Sequence, residues 1–251
     1  MTKRILVTGA ASGIGLAIAR RFHAEGDRVL ICDIDEAALE RARAEMPGLA
    51  AVLCDVADPA QIDRLFATLN AELGGLDVLV NNVGIGGPTI SAEQLPRAQW
   101  QQVLDINLTA TFEITQRAIP LLKQSVGTII VMSSAAGRFG YPNRLPYAVS
   151  KWGLIGLTKT LAMELGGDGI SVNAILPGAV SGDRLDRVIE GRAKLSGKSF
   201  DQVLAENFAS QSLKRPADPA HVADLAWFLT TPAGRSISGQ MLPMDGDQQH
   251  G

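Results

Sequence analysis

The stretch TGAASGIG, residues 8–15, joins a short β-branched run, RILVT (Arg4–Thr8), to a segment whose apolar residues Ile14, Ala17, Ile18 and Phe22 recur at helical spacing. A strand that turns straight into a helix uses glycine to make the bend. Glycine also lets a pyrophosphate approach the backbone N–H groups at the positive end of the helix. The spacing is G-x-x-x-G-x-G, at Gly9, Gly13 and Gly15, with Ser12 and Ile14 between them. A turn of this kind also serves plain strand-to-helix packing, so the surrounding pattern has to separate the two.

Outward from that turn, strand-like and helix-like blocks alternate. RVLICD is a second strand ending at Asp33, and IDEAALERARAEM is a helix with Asp35 and Glu36 where the dipole favours acids. AAVLCDV is a third strand, and PAQIDRLFATLNAEL a helix with proline near its start. DVLVNN is a fourth strand. The spacing then predicts one long helix over 96–122, with Trp100, Leu104, Leu108, Phe112 and Ile119 as core contacts. GTIIVMSS is a fifth strand, the helix opened by YAVSK (residues 147–151) runs to about Leu165, and ISVNAIL is a sixth strand. PAHVADLAWFL is a last helix and GQMLPMDG a last strand.

The strands are apolar on both faces, as in parallel sheets covered on each side. Repeated β-α-β units predict an α/β fold: a single-domain, Rossmann-like, doubly wound parallel sheet of about seven strands with helices on both faces, spanning residues 1–251. The part from 182 to 215 is polar and weakly periodic, so a substrate loop or lid is expected over about 180–215.

Bulk properties exclude several classes. The chain has 251 residues, 46% hydrophobic and 20% charged, with net charge -3, which gives no reason to expect nucleic acid or an anionic membrane as partner. No apolar run approaches the roughly 20 residues of a membrane span. The start, MTKRILVTG, is too short and β-branched for a signal peptide. Cys32 and Cys54 lie in apolar segments without metal-like spacing, and read as buried thiols of a cytoplasmic protein with no metal site. His23, His221 and His250 have no partner motif.

Asp33 ends the second strand about 20 residues past the glycines, where a ribose-binding acid belongs. Its carboxylate would repel a 2′-phosphate: like charges about 4 Å apart cost around 4 kcal/mol at an effective dielectric near 20. No arginine or lysine flanks the glycine loop or follows Asp33 to offset that, so NAD(H) is expected over NADP(H). The alternative is a solvated acid capping the next helix. At the other end of the cleft, Tyr147 and Lys151 are four apart and so neighbours on a helix. An ammonium beside a phenol favours the phenolate, which a general base at neutral pH needs. Ser134, second serine of SSAAG, lies at the carboxyl edge of the fifth strand, where such folds bind ligands.

TGAASGIG, CDV (54–56), NNVG (81–84), IN (106–107), SS (133–134), YAVSK and PG (177–178) follow the order and spacing of the short-chain dehydrogenase/reductase family, which the chain resembles over about residues 4–246. The resemblance implies hydride transfer between nicotinamide and a carbinol carbon. It implies Tyr147 as acid–base, Ser134 as hydrogen-bond donor to the substrate oxygen, and Lys151 as ligand of the nicotinamide ribose. Asn107 would help hold a water connecting Lys151 to solvent; an exposed or backbone-bonded asparagine is the other reading. Asp55 and Val56 would contact adenine, Asn82 and Gly84 would line the cleft, and Pro177, Gly178 and Val180 would pass near the nicotinamide. A homotetramer or homodimer is implied too, with Phe112, Ile114, Leu157 and Leu161 serving either its interface or the core.

Two departures stand out. NNVG replaces the family's usual NNAG, and Gly182 stands where the family often has a cofactor-touching threonine; the terminal MDGD resembles the family's DGG. Either Ser181 substitutes for that threonine or the contact is absent. The expected activity is an NAD-dependent alcohol dehydrogenase or ketone reductase. The alternatives are a 3-oxoacyl-thioester reductase and a non-catalytic dinucleotide sensor. The substrate is a small alcohol or ketone, and an anionic one is expected if Arg138, Arg144 or an arginine of the loop, such as Arg184, clamps it. An amphipathic lid helix, with Leu185, Val188 and Ile189 as its apolar stripe and its charges solvated, is the preferred reading of that loop.

Overall fold

Strands β1 (Arg4–Thr8), β2 (Arg28–Asp33), β3 (Ala50–Leu53), β4 (Val78–Asn81), β5 (Thr128–Met132), β6 (Ser171–Pro177) and β7 (Met241–Met244) form one sheet. Their order is β3-β2-β1-β4-β5-β6-β7, and every neighbouring pair is parallel. The structure, a computed structural model, describes residues 2–249; the side chain of Arg184 and residue His250 lie outside the described residues.

Alternation along β1 shows how the layers arise. Leu6 faces a core with α3 (Pro59–Leu73), α5 (Ala110–Ser125) and α6 (Leu145–Leu165). Ile5 and Val7 face a second core with α1 (Gly13–Ala24), α2 (Glu36–Glu45) and α9 (Pro219–Phe228). Both faces of the strand are therefore dry, which is why its sequence is apolar throughout. The topological switch falls between β1 and β4, where the strand order reverses direction and leaves a crevice at the carboxyl ends.

Two stretches differ from the sequence reading. The long helix is α4 (Arg97–Leu104), a π-helical turn (Asp105–Thr109) and α5 in one continuous run. The π turn inserts one residue and rotates the apolar stripe, so Ile114, Ala118 and Leu122 are buried while Phe112 is 52% exposed. The lid segment carries α7 (Asp183–Ser196), where an amphipathic helix is expected, and a second helix, α8 (Phe200–Ala209), which the sequence reading leaves irregular. Ser199 and Gln202 close a reciprocal cap on α8. Within α7, Ile189 is fully buried and Leu185 and Val188 partly so, the apolar stripe of an amphipathic helix.

Candidate active site

All strands being parallel, the expected site residues emerge on one edge. Gly9–Gly15 follow β1, Asp33 ends β2, Asp55 and Val56 follow β3, and Asn82 and Gly84 follow β4. Ser134 follows β5, Pro177 ends β6, and Gly178 and Val180 follow it.

The glycine loop is shaped by close approaches. Gly9 has φ +59° and a Cβ there would lie 2.8 Å from Val83 Cα. At Gly15 a Cβ would lie 2.4 Å from the Gly9 carbonyl oxygen and 2.5 Å from Asn82 Nδ2. Asn82 donates to the carbonyls of Thr8 (3.0 Å) and Gly9 (2.7 Å), so its side chain braces the loop from below. Thr8 Oγ1 accepts from the amides of Asn82 and Val83, at 3.1 Å each. Helix α1 opens at Ser12 with no side-chain cap and no acid in its first turn, so its first N–H groups keep their need for an acceptor. This loop fits the phosphates of a dinucleotide.

Asp33 Oδ2 accepts from Ala11 N–H at 3.0 Å, and Oδ1 accepts from the amides of Ile34 (2.8 Å) and Asp35 (3.2 Å). Three backbone donors thus hold a carboxylate beside the glycine loop. The cap of α2 is Asp35, whose Oδ1 accepts from Ala38 N–H, which removes the helix-capping reading of Asp33. Asp55 Oδ1 accepts from Ala57 N–H at 2.9 Å, and Val56 is buried beneath it. Cys32 and Cys54 are both buried near this end of the sheet, and a hydrogen bond to Cys54 with burial raises the Cys32 thiol above its usual range.

On the other side of the crevice, Lys151 is 3% exposed and its Nζ lies 5.7 Å from the Tyr147 ring centroid. The ammonium donates to the Met132 carbonyl at the end of β5 (2.8 Å). A Cβ on Gly84 would sit 3.5 Å from Lys151 Nζ and 3.3 Å from Asn107 Oδ1, so the bare backbone of Gly84 keeps this passage open. Asn107, fully buried in the π turn, has its side chain engaged: Oδ1 accepts from Ile85 N–H (2.8 Å), and Nδ2 donates to the Ile85 carbonyl (3.0 Å) and to Ser150 Oγ (3.0 Å). Ser150 Oγ donates onward to the Tyr147 carbonyl (2.7 Å). Asn107 therefore links the β4 loop to the first turn of α6 through its side chain. Ser150 had only its place inside YAVSK, three residues after Tyr147, to mark it. Ser134 Oγ accepts from Ala136 N–H (3.1 Å), which leaves the hydroxyl hydrogen to donate elsewhere. Ser133 Oγ donates to the Lys151 carbonyl (2.9 Å), and a Cβ on Gly137 would lie 2.6 Å from that hydroxyl.

Other groups singled out in the sequence have partners of their own. Arg138 pairs with Asp245 (3.2 Å), behind Gly178, and stacks on Phe139. Ser181 Oγ donates to the Ala217 carbonyl at 3.4 Å, and Val180 forms a parallel bridge to Ala217, so the 178–182 segment is tied to the start of α9. His23 contacts the Pro47 carbonyl. Among the described residues no cluster of His, Cys, Asp and Glu has the geometry to hold a metal ion, and no helix is long and apolar enough to cross a membrane.

A family model described as enoyl-(acyl carrier protein) reductase matches residues 9–246. A protein assigned as ketoacyl reductase 1 of the granaticin polyketide synthase of Streptomyces violaceoruber is 37% identical over 248 residues, covering 96% of this chain and 91% of that protein. Among solved structures, a single-site variant of actinorhodin polyketide ketoreductase with NADPH superposes with TM-score 0.93 at 33% identity, covering 98% of this chain and 96% of that one. A xylitol dehydrogenase with bound NAD+ superposes with TM-score 0.93 at 30% identity, covering 97% and 98%.

Proposed function

Since the chain belongs to the short-chain dehydrogenase/reductase family, we propose that it is an NAD(H)-dependent oxidoreductase interconverting a secondary alcohol and its ketone, with Tyr147 as general acid–base. The observation that carries this reading is the buried Lys151 ammonium, 5.7 Å from the Tyr147 ring and level with Gly84 on the crevice wall. A bound nicotinamide supplies the hydride acceptor or donor. Tyr147 holds or releases the carbinol proton at its phenol oxygen. Lys151 stabilises charge on that oxygen and binds the nicotinamide ribose hydroxyls. Ser134 donates its hydroxyl hydrogen to the substrate oxygen, where charge builds up. Asn107 and Ser150 fix the first turn of α6, and with it the aim of Tyr147. Gly9, Ser12, Gly13, Ile14 and Gly15 take the pyrophosphate, and Asp55 and Val56 take the adenine. Asn82 braces the loop, and Pro177, Gly178 and Val180 border the nicotinamide.

NAD is favoured over NADP by Asp33, whose carboxylate is fixed by three amides beside the loop. Helices α7 and α8 form the substrate lid. The chain assembles as a homotetramer or homodimer through α5 and α6, and works in the cytoplasm.

The test is kcat/KM for a panel of secondary alcohols with each nucleotide. NAD is expected to exceed NADP at least about tenfold, the equivalent of 1.4 kcal/mol. Equal or better use of NADP overturns the cofactor assignment, and absence of turnover despite dinucleotide binding overturns the enzyme in favour of a sensor. Reduction of 3-oxoacyl thioesters is the second reading, favoured by the likeness to a ketoacyl reductase. A 3-oxoacyl thioester reduced faster than any simple ketone would select it.

A further inference from the structure

The segment YPNR, residues 141–144, turns just ahead of α6 with Pro142 second and Asn143 at φ +61°, closed by Arg144 N–H donating to the Tyr141 carbonyl (3.2 Å). Proline followed by a residue of positive φ is the signature of a type II turn. The Asn143 carbonyl accepts from Ile90 N–H (2.9 Å), so the turn is bonded to the loop after β4.

Arg144 is 6% exposed although it carries a full charge. Its Nε and Nη2 both donate to the Gly86 carbonyl, at 3.2 and 2.8 Å. A Cβ on Gly86 would lie 2.5 Å from Nη2, so that glycine makes room for the guanidinium. The guanidinium carbon lies 5.2 Å from the centroid of Tyr147 and 5.7 Å from that of Tyr141, and the two rings are 6.3 Å apart. A second guanidinium, Arg192 of α7, lies 5.1 Å from the Tyr141 ring and is steadied by Asn207 of α8 (2.8 Å). Next to it, Gly191 comes close to Thr89 of the same β4 loop. Two arginines from different elements therefore bracket Tyr141, one of them touching the ring of the proposed acid–base. Arginine positioned by packing and backbone, away from bulk water, is suited to a planar carboxylate.

We infer that Arg144, with Arg192 behind Tyr141, forms an anion subsite that selects a short hydroxy acid or keto acid, its carboxylate on Arg144 and its carbinol at Tyr147. This inference rests on the proposed oxidoreductase for the carbinol half only; the carboxylate half stands on the arginines themselves. The closeness of Arg144 to Tyr147 limits the substrate to few bonds between carboxylate and carbinol.

The experiment compares matched hydroxy acids and their methyl esters. For the wild type, kcat/KM for the acid is expected to exceed that for the ester, and Arg144→Gln to lower the acid-to-ester ratio about 10- to 100-fold. Arg192→Gln, at a partly exposed position, is expected to lower it by a smaller factor and keeps the test open if Arg144→Gln does not fold. An acid-to-ester ratio that neither variant changes overturns the inference, as does a wild type preferring the ester. Calorimetric titration of the NAD-saturated protein with butanoate and butanamide reads the subsite without turnover. Butanoate binding that is lost in the arginine variants, with no alcohol oxidised, would uphold the subsite and sink the oxidoreductase; equal binding of the two compounds would sink the subsite alone.

Discussion

Tyr147 and Lys151 share a space because one helical turn separates them and α6 starts where it does, with Pro146 in its first turn and Ser150 locked to Asn107. The structure adds what that spacing alone lacks: the amine is 3% exposed and lies within hydrogen-bond distance of the end of β5. A charge removed from water acts on its neighbour through a low dielectric and is felt more strongly. Tyr147→Phe is therefore expected to lower kcat about 10²- to 10⁴-fold, the usual span of a lost acid–base, while NAD affinity by fluorescence titration stays close to wild type. Wild-type kcat in that variant would end the assignment. Arg138 illustrates the limit of reading from order alone: it stands between Ser134 and Tyr147 in sequence, yet its charge is spent on buried Asp245.

At the level of elements, the register of β1 against β4 is pinned at its start by Arg4 and Asp77. The Asp77 carboxylate accepts from Arg4 N (2.7 Å), Nε (2.9 Å) and Nη2 (2.9 Å), and the Asp77 carbonyl accepts from Thr128 N–H at the start of β5. Burial pushes the Asp77 carboxyl up, but the hydrogen bonds and charge of Arg4 push it down further, and the net direction is below its ordinary 3.8. A carboxyl depressed in the folded state adds stability above its unfolded value and loses it as pH falls through the folded one. Asp77→Asn is thus expected to cost about 1 kcal/mol at neutral pH after solvent screening. It should also flatten the decline in stability below about pH 4, read as Tm against pH by calorimetry. A decline as steep as in the wild type would show that Asp77 is not a source of the acid sensitivity. The π turn at Asp105–Thr109 belongs to this level as well, since it rotates Phe112 outward and brings Asn107 inward in one step.

For the whole molecule, α6 is apolar on nearly all sides, and it still exposes Val149 (38%), Trp152 (51%) and Met163 (86%), with Phe112 (52%) on neighbouring α5. A helix apolar all round is a buried helix, so this face is expected to be covered by a second copy. Sedimentation should give a dimer or tetramer for the wild type, and a shift toward monomer for Phe112→Glu combined with Trp152→Glu. A monomeric wild type at micromolar concentration would remove the proposed assembly.

The sequence by itself determined the parallel doubly wound sheet, because short strands apolar on both faces and amphipathic helices alternate from Arg4 to Met244 and admit few other arrangements. It also put Gly9, Asp33 and Ser134 at the carboxyl ends of parallel strands, which emerge on one edge, and set Tyr147 and Lys151 one helical turn apart. It could not show the π turn, the second lid helix over 200–209, or the Asn107–Ser150 link, because these depend on one-residue phase shifts and on contacts between side chains remote in the chain. Only the tertiary structure decided among the arginines: Arg138 went to Asp245 and Arg144 to the flank of Tyr147, because a charge finds its place by which buried acceptors lie within reach, and those are brought there by packing.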